Sequence, residues 1–240
     1  MQDLIKERKR LISIANESKF GDGFNGKLIN YRYLTLKPYF KGNSVLELGS
    51  AEGPMTKFLM DDFSRVVAVD GSSVYCDILK KTIKNDKLEV VCSMFEEYTT
   101  EERFDTIIMA HILEHVDNPI KIMSRAKRWL RKNGVILIDV PNANSLHRQA
   151  AVYMKLLKTV DELNKLDIKI GHRRVYTPET LTEDIIKAKL RISATGGVFI
   201  KLFTNAQIDK FCTLQMQNAF YELGKKYGDI AAEIYVVCTA

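Results

Sequence analysis

The sequence is poor in several features that would assign a function quickly. Its four cysteines (Cys76, Cys92, Cys212, Cys238) lie far apart and form no C-x-x-C pair. That pattern fits neither a zinc site nor a disulfide framework, and points to reduced thiols in a cytosol. No apolar run approaches the roughly 20 residues of a membrane span. The opening Met-Gln-Asp-Leu-Ile-Lys-Glu-Arg-Lys-Arg lacks the apolar stretch of a secretion signal, so a cytoplasmic location is expected. There is no internal repeat, no linker and no low-complexity segment. What is present is ordinary globular composition: 240 residues, 46% hydrophobic and 28% charged, enough chain to bury a full core as one large domain or one domain with a cap. Lys+Arg number 36 against 30 Asp+Glu, a formal charge of +6. The basic residues are spread along the chain, so charge alone does not imply a nucleic-acid partner.

From residue 44 onward short apolar runs alternate with helical ones. The runs are 45–48, 66–70, 88–91, 106–109 and 135–138, apolar on both faces as in a parallel sheet covered on both sides. Between them the period is helical. Met55, Phe58 and Leu59 share a face; Asn118 and Pro119 open a helix that carries Ile120, Met123 and Leu130; Thr177-Pro178 opens another with Leu181, Ile185 and Ala188. This alternation predicts a doubly wound α/β sheet. Before it, residues 1–20 read as a polar helix, 21–26 as a glycine-rich break and 27–40 as a second short helix, together an N-terminal helical cap (1–40) on a domain of residues 41–240. Residues 142–176 read as a polar and helical insertion on the substrate side, and 199–203 and 233–239 as two late strands around a helix.

Ligands of open parallel sheets bind beyond the carboxyl ends of the strands. The first strand ends in Glu47-Leu48-Gly49-Ser50-Ala51-Glu52-Gly53, a turn of small residues entering a helix. It lacks the G-x-x-x-x-G-K-[ST] of a phosphate loop, and Ala51 and Glu52 break the G-x-G-x-x-G of a dinucleotide turn. Glu47 and Glu52 would also face a pyrophosphate with like charge, so a cofactor without phosphates fits better. The second strand ends in Asp70, 23 residues after Glu47, near the spacing at which a carboxylate reaches ribose hydroxyls.

These two motifs resemble those of class I S-adenosylmethionine-dependent methyltransferases. The segment from Phe104 to Val116, with its Leu113-Glu114-His115-Val116 turn, is similar to the fourth motif of ubiquinone-type small-molecule methyltransferases. Pro141 to Arg148, Gly171 to Tyr176, Asn205-Ala206-Gln207 and Ala232 to Tyr235 resemble a subgroup in bacterial capsule and surface-glycan biosynthesis. The resemblance covers roughly residues 28–240; Ala51 departs from it, standing where the commonest turn has its middle glycine. It implies a Rossmann-like, mostly parallel seven-stranded sheet with an antiparallel last strand.

The resemblance also implies roles. Gly49, Ser50 and Gly53 allow close approach of the cofactor, and Glu47 meets its methionine amine. Asp70 takes the ribose hydroxyls above Gly71 and Ser72; Ser93, Met94 and Phe95 edge the adenine. The Ala110 carbonyl, with His111 and His115, faces the methionine end, and Arg32 pairs its carboxylate. In-line transfer from a sulfonium requires no metal, but an acceptor hydroxyl needs a base. His172, His147 and His111 are the candidates, with His115 shaping its turn. Arg148, Arg173, Arg174 and Tyr176 would grip a phosphate- or carboxylate-bearing small acceptor. Gly21–Gly26 with Tyr31 and Tyr33 are candidates for a lid. Two alternatives stay open. A nucleic-acid methyltransferase is disfavoured because neither the Pro-Pro-aromatic turn nor a Pro-Cys nucleophile is present. A non-catalytic nucleoside-binding module would use the same Asp70 and Arg32. Which atom receives the methyl, and the oligomeric state, are not legible.

Overall fold

A computed structural model describes residues 2–17 and 20–240, with side chains from residue 6 onward in the first helix. Seven strands, β1 (Ser44–Leu48), β2 (Arg65–Asp70), β3 (Leu88–Cys92), β4 (Phe104–Ala110), β5 (Leu130–Pro141), β6 (Arg191–Val198) and β7 (Glu233–Thr239), form one sheet in the order β3-β2-β1-β4-β5-β7-β6. The pairs among β1 to β5 are parallel, and β7 runs antiparallel to both β5 and β6. The helices are α1 (Gln2–Glu17), α2 (Gly23–Leu36), α3 (Pro54–Asp62), α4 (Ser73–Thr82), α5 (Pro119–Trp129), α6 (Leu146–Tyr153), α7 (Lys165–Ile170), α8 (Pro178–Lys187), α9 (Asn205–Phe211) and α10 (Leu214–Lys226). The doubly wound, mostly parallel sheet with an antiparallel last strand is therefore present.

The period of two along each strand sends alternate residues to opposite faces. Leu46, Leu48, Val67, Val69, Ile107, Met109, Ile136 and Ile138 pack on one side with Ile122 and Met123 of α5 and Leu181 and Ile185 of α8. Val45, Val66, Ile108, Val135 and Leu137 pack on the other with Ile29, Tyr33 and Leu36 of α2 and Met55 and Leu59 of α3. Each fully buried aliphatic side chain contributes about 1.5–3 kcal/mol, so the two layers fix the sheet's position firmly. The Asn118 side chain accepts from Lys121 N at 2.9 Å with Pro119 in the first turn, the helix start that the sequence predicts.

Four expectations are corrected. The strand predicted at 199–203 lies earlier, at Arg191–Val198. Its outer residues are polar and its end is Gly196-Gly197, so it has little strand-like hydrophobicity. Those glycines allow Tyr235, Gly228 and Ala231 to approach, and Phe199 then turns away with φ +65 into a core with Phe24, Tyr31 and Tyr221. The glycine-rich stretch is not a loop throughout, because α2 begins at Gly23. Leu130 opens β5 rather than continuing α5. Tyr31 and Tyr33 are core residues, stacked on Tyr221 and Phe58, and not parts of a lid. The predicted first helix extends over residues 1 and 18–20; residues 1, 18 and 19 lie outside the described ones.

Candidate active site

The strand order reverses between β1 and β4, and ligands of such sheets bind where their carboxyl ends part. Both ends break sharply there. Gly49 and Gly53 take φ +83 and +91, and a side chain at Gly49 would collide with that of Ile112 from the turn after β4. Ala51 also sits in the left-handed region at φ +44, where a Cβ costs roughly 1–2 kcal/mol. Its strained backbone aims a donor: Ala51 N donates to Asp70 Oδ2 at 3.0 Å, and Ser72 N donates to Oδ1 at 2.8 Å. Burial pushes the Asp70 carboxyl up to about 6 against those two donors. Glu47, fully enclosed at the end of β1, accepts from Thr56 Oγ1 at 2.6 Å and is pushed up by burial to about 8. The hydroxyls of Ser50 and Ser72 are buried and have no hydrogen-bond partner among the described residues.

Ser93 N donates to the Asp70 carbonyl at 2.9 Å, which brings the turn after β3 beside the turn after β2. Met94 Sδ lies 3.0 Å, and Leu11 of α1 2.7 Å, from where a Cβ on Gly71 would stand; Phe95 Cζ lies 3.8 Å from the same position on Gly49. Helix α1 continues across this edge. Arg10 donates to the Gly171 carbonyl at 3.0 Å, and Arg173 Nη2 donates to Glu7 at 2.8 Å. Glu52 accepts from Phe20 N and Gly21 N at 2.6 and 2.7 Å, tying the segment before α2 to the elbow.

The second half of the site is a buried ion network at the ends of β4 and β5 and the start of β7. Arg32 of α2 meets Glu233 at 2.6 Å and Asp139 at 2.6 Å. His111, at φ +57, places Nε2 3.0 Å from Glu233 and 3.4 Å from Asp139, and Nδ1 3.3 Å from Glu114. Burial and the Arg32 charge oppose a proton on His111, but Glu233, Glu114 and Asp139 outweigh them and raise it to about 9. Glu233 is pulled down to about 2 despite burial, by Arg32 and His111. Asp139 is pushed up to about 6 by burial and by Glu233. At neutral pH His111 is thus a proton donor and not a base. Arg32 has its charge met by two carboxylates of the chain itself.

The insertion is closed at its base by a bridge between Asn142 and Tyr176, where Ala143 N donates to the Tyr176 carbonyl at 2.7 Å. Arg173 N donates to the Glu114 carbonyl at 2.8 Å, which lays the 171–174 segment on the turn after β4. The rings of His115 and His172 meet edge to face, 4.7 Å apart. Burial holds His115 down to about 4 and His147 down to about 3, so both are neutral and take up a proton reluctantly. The arginines that the sequence offers for an anion bond within the chain. Arg148 donates to the Val160 and Glu162 carbonyls and pairs Asp167 at 3.2 Å. Arg173 meets the His115 carbonyl, Glu7 and Asp117. Arg174 donates to the Leu113, Val116 and Asp117 carbonyls. The Tyr176 hydroxyl donates to Asp184 at 3.1 Å.

Sequence reasoning gave no role to Asp139, Glu233, Glu114 or Asp167. One signal was available, since Asp139 is the lone acid in the apolar run 135–140, and a buried carboxylate implies a partner. The partners come from residues 32 and 233, whose meeting only the fold reveals.

The profile of the family described as "Methyltransferase domain" matches residues 23–192. Among characterised proteins the chain is 26% identical over 103 residues to (S)-coclaurine N-methyltransferase of Thalictrum flavum subsp. glaucum, 41% of this chain and 28% of that one. It is 26% identical over 174 residues to the ubiquinone biosynthesis O-methyltransferase of Bradyrhizobium diazoefficiens, 68% of this chain and 64% of that one. The match thus spans under two thirds of either relative's length. Among solved structures, a coclaurine N-methyltransferase bound to N-methylheliamine and SAH superposes with a TM-score of 0.62 at 14% identity, covering 93% of this chain and 73% of that one. With more than half of its length matched by the family profile, and with this sheet and elbow, the chain belongs to the class I S-adenosylmethionine-dependent methyltransferase family.

Proposed function

We propose that the protein transfers a methyl group from S-adenosylmethionine to a small-molecule acceptor. The observation that carries the reading is the elbow itself. Asp70 is held by two backbone donors, and beside it two enclosed hydroxyls, Ser50 and Ser72, still need partners. A nucleoside with free ribose hydroxyls and no phosphate suits that donor set. When bound, S-adenosylmethionine supplies a methyl group on a positively charged sulfur. Asp70 then accepts the ribose hydroxyls, and the enclosed Glu47, pushed toward its neutral form by burial, regains its charge beside the methionine ammonium. Met94 and Phe95 border the adenine side.

Arg32 and His111 act together with Asp139 and Glu233 as a rigid polar wall. The pairing of Arg32 by two carboxylates supports a positioning role more than a pair to the methionine carboxylate. His115 stands edge to face with His172, 4.7 Å apart, and supports the shape of the turn after β4. Helix α1 covers the nucleoside side through Leu11, which supports reading residues 1–40 as a cap. The acceptor is a hydroxyl- or amine-bearing small molecule. The likeness of segments 141–148 and 171–176 to surface-glycan enzymes supports a carbohydrate precursor. The anionic handle has less support, because Arg148, Arg173 and Arg174 are all engaged. No helix among the described residues is long and apolar enough to cross a membrane, and all four cysteines are free thiols.

The test is an acceptor screen read by mass spectrometry. One product should gain about 14 Da, a methyl replacing hydrogen, while the cofactor becomes its homocysteine product. Binding of the cofactor with no turnover on a broad carbohydrate, phenol and amine panel would favour the binding-module alternative.

A further inference from the structure

Three donors outside the nucleoside elbow converge at the turn after β4. Glu114, His115 and His172 offer one ligand atom each, all within 4.8 Å of one another. Sequence spacing hides the group, because His172 arrives from the far end of the insertion, drawn in by the hydrogen bond of Arg173 N to the Glu114 carbonyl. Glu114 is fully buried, and neither carboxylate oxygen accepts a hydrogen bond among the described residues. Its Oε1 lies 3.3 Å from His111 Nδ1 and 4.0 Å from His172 Nε2. A buried carboxylate so placed needs a further positive partner.

The surroundings of His172 also point to a ligand. His172 Nδ1 lies 3.1 Å from Asp167 Oδ1, and Asp167 is itself fixed by Arg148 and by Asn164 N at 2.9 Å. Metal-bound histidines commonly have a carboxylate beside the outer ring nitrogen, as Asp167 is beside His172 Nδ1, so that the inner nitrogen can present its lone pair. We propose that Glu114, His115 and His172 bind a first-row divalent cation of the Zn²⁺ and Co²⁺ type.

Two imidazole nitrogens and one carboxylate favour such a cation over Mg²⁺ or Ca²⁺, which take oxygen. Binding draws the donor atoms to roughly 3.3 Å of one another, about an ångström or so closer than here, given bonds of about 2.0–2.2 Å. The neighbouring triad of His111, Asp139 and Glu233 has a similar outline, but its carboxylates already hold the Arg32 cation. His115 also lines a cavity of about 70 Å³ with Met94, Phe95 and Val116. The open coordination positions on that side suit an oxygen ligand, either water or an acceptor hydroxyl; only the latter use rests on the methyltransferase reading.

The test is titration of the EDTA-treated, dialysed full chain with Co²⁺, followed by visible absorption and calorimetry, then displacement by Zn²⁺. One equivalent should bind with a ligand-field band, and excess Mg²⁺ should not displace it. His115→Ala and His172→Ala should each weaken binding at least about 100-fold, and Asp167→Asn about 10–100-fold. Circular dichroism identifies any variant that fails to fold, in which case His172→Gln replaces it. Absence of saturable Co²⁺ or Zn²⁺ binding to the wild type, or binding retained in the His115/His172 double variant, overturns the proposal. Binding of S-adenosylhomocysteine is measured on the same preparations. Its loss with the metal retained counts against the methyltransferase reading alone.

Discussion

At the residue scale the site turns on carboxylates kept where water is scarce. Asp70 and Glu47 are legible in the sequence, because an acid that closes an apolar strand stands at the edge where ligands bind. With Asp70 raised to about 6 in the free protein, and ribose hydroxyls needing its anion, the sign of the pH effect follows. Affinity for S-adenosylhomocysteine should weaken as pH falls below about 8, where Glu47 takes up its proton, and more steeply below about 6, where Asp70 does, with proton release seen by calorimetry in buffers of different ionisation enthalpy. Asp70→Asn should remove the steeper limb below about pH 6 and weaken binding at least about tenfold, while leaving the melting temperature equal or higher, since the burial penalty of the charge goes with it. Asp139 and Glu233 are not legible in the same way. Each is an acid in or beside an apolar strand, and its meaning is set by an arginine more than 100 residues away in sequence.

At the element scale, strands buried on both faces and helices with a cap and a proline declare themselves, whereas edge structure does not. Strand β6 is half polar and ends in two glycines, so its hydrophobic pattern is weak. The apolar 199–203 segment reads as more strand-like, but Phe199 serves as a plug between helices while Leu202 and Phe203 are exposed. Helix α10 presses on that plug through Gly224, where an added Cβ would collide with the Phe199 backbone nitrogen. Gly224→Ala should lower stability by about 1–3 kcal/mol through overpacking, despite better helix propensity, read as a drop in the urea midpoint at unchanged m-value. Substitution to alanine at an exposed position of the same helix, Glu222, should stay within about 0.5 kcal/mol. Gly49→Ala, which drives a methyl group into Ile112 at a left-handed φ, should weaken S-adenosylhomocysteine binding more than it lowers the melting temperature.

At the scale of the whole molecule, one buried network joins the N-terminal helices, the middle of the sheet and its last strand. Glu233, depressed from 4.5 to about 2, contributes stability that is present above pH 4.5 and lost as pH falls through about 2. His111, raised from 6.5 to about 9, contributes stability that is full below 6.5 and lost as pH rises through about 9. Asp139, raised from 3.8 to about 6, contributes stability that is full below 3.8 and lost as pH rises through about 6, before His111 gives up its proton. Denaturation midpoints should therefore be highest near pH 4–5, fall on the acid side as Glu233 takes up its proton, decline as pH rises through about 6 with Asp139, and fall again through about 9, a last step that His111→Gln should flatten. Arg32→Met leaves two carboxylates buried without their cation, and should destabilise by about 3–5 kcal/mol. The sequence predicts a basic residue here but assigns it to a ligand, since nothing local in Asn30-Tyr31-Arg32 reveals that Glu233 closes over it. The central claim concerns the elbow between β1 and β4, and calorimetry on the intact chain addresses it most directly. S-adenosylhomocysteine should bind one per chain with micromolar affinity or better, a nicotinamide dinucleotide should give no heat, and Asp70→Asn should erase most of the signal. Saturable uptake of the dinucleotide with none of the sulfur nucleoside would contradict the account.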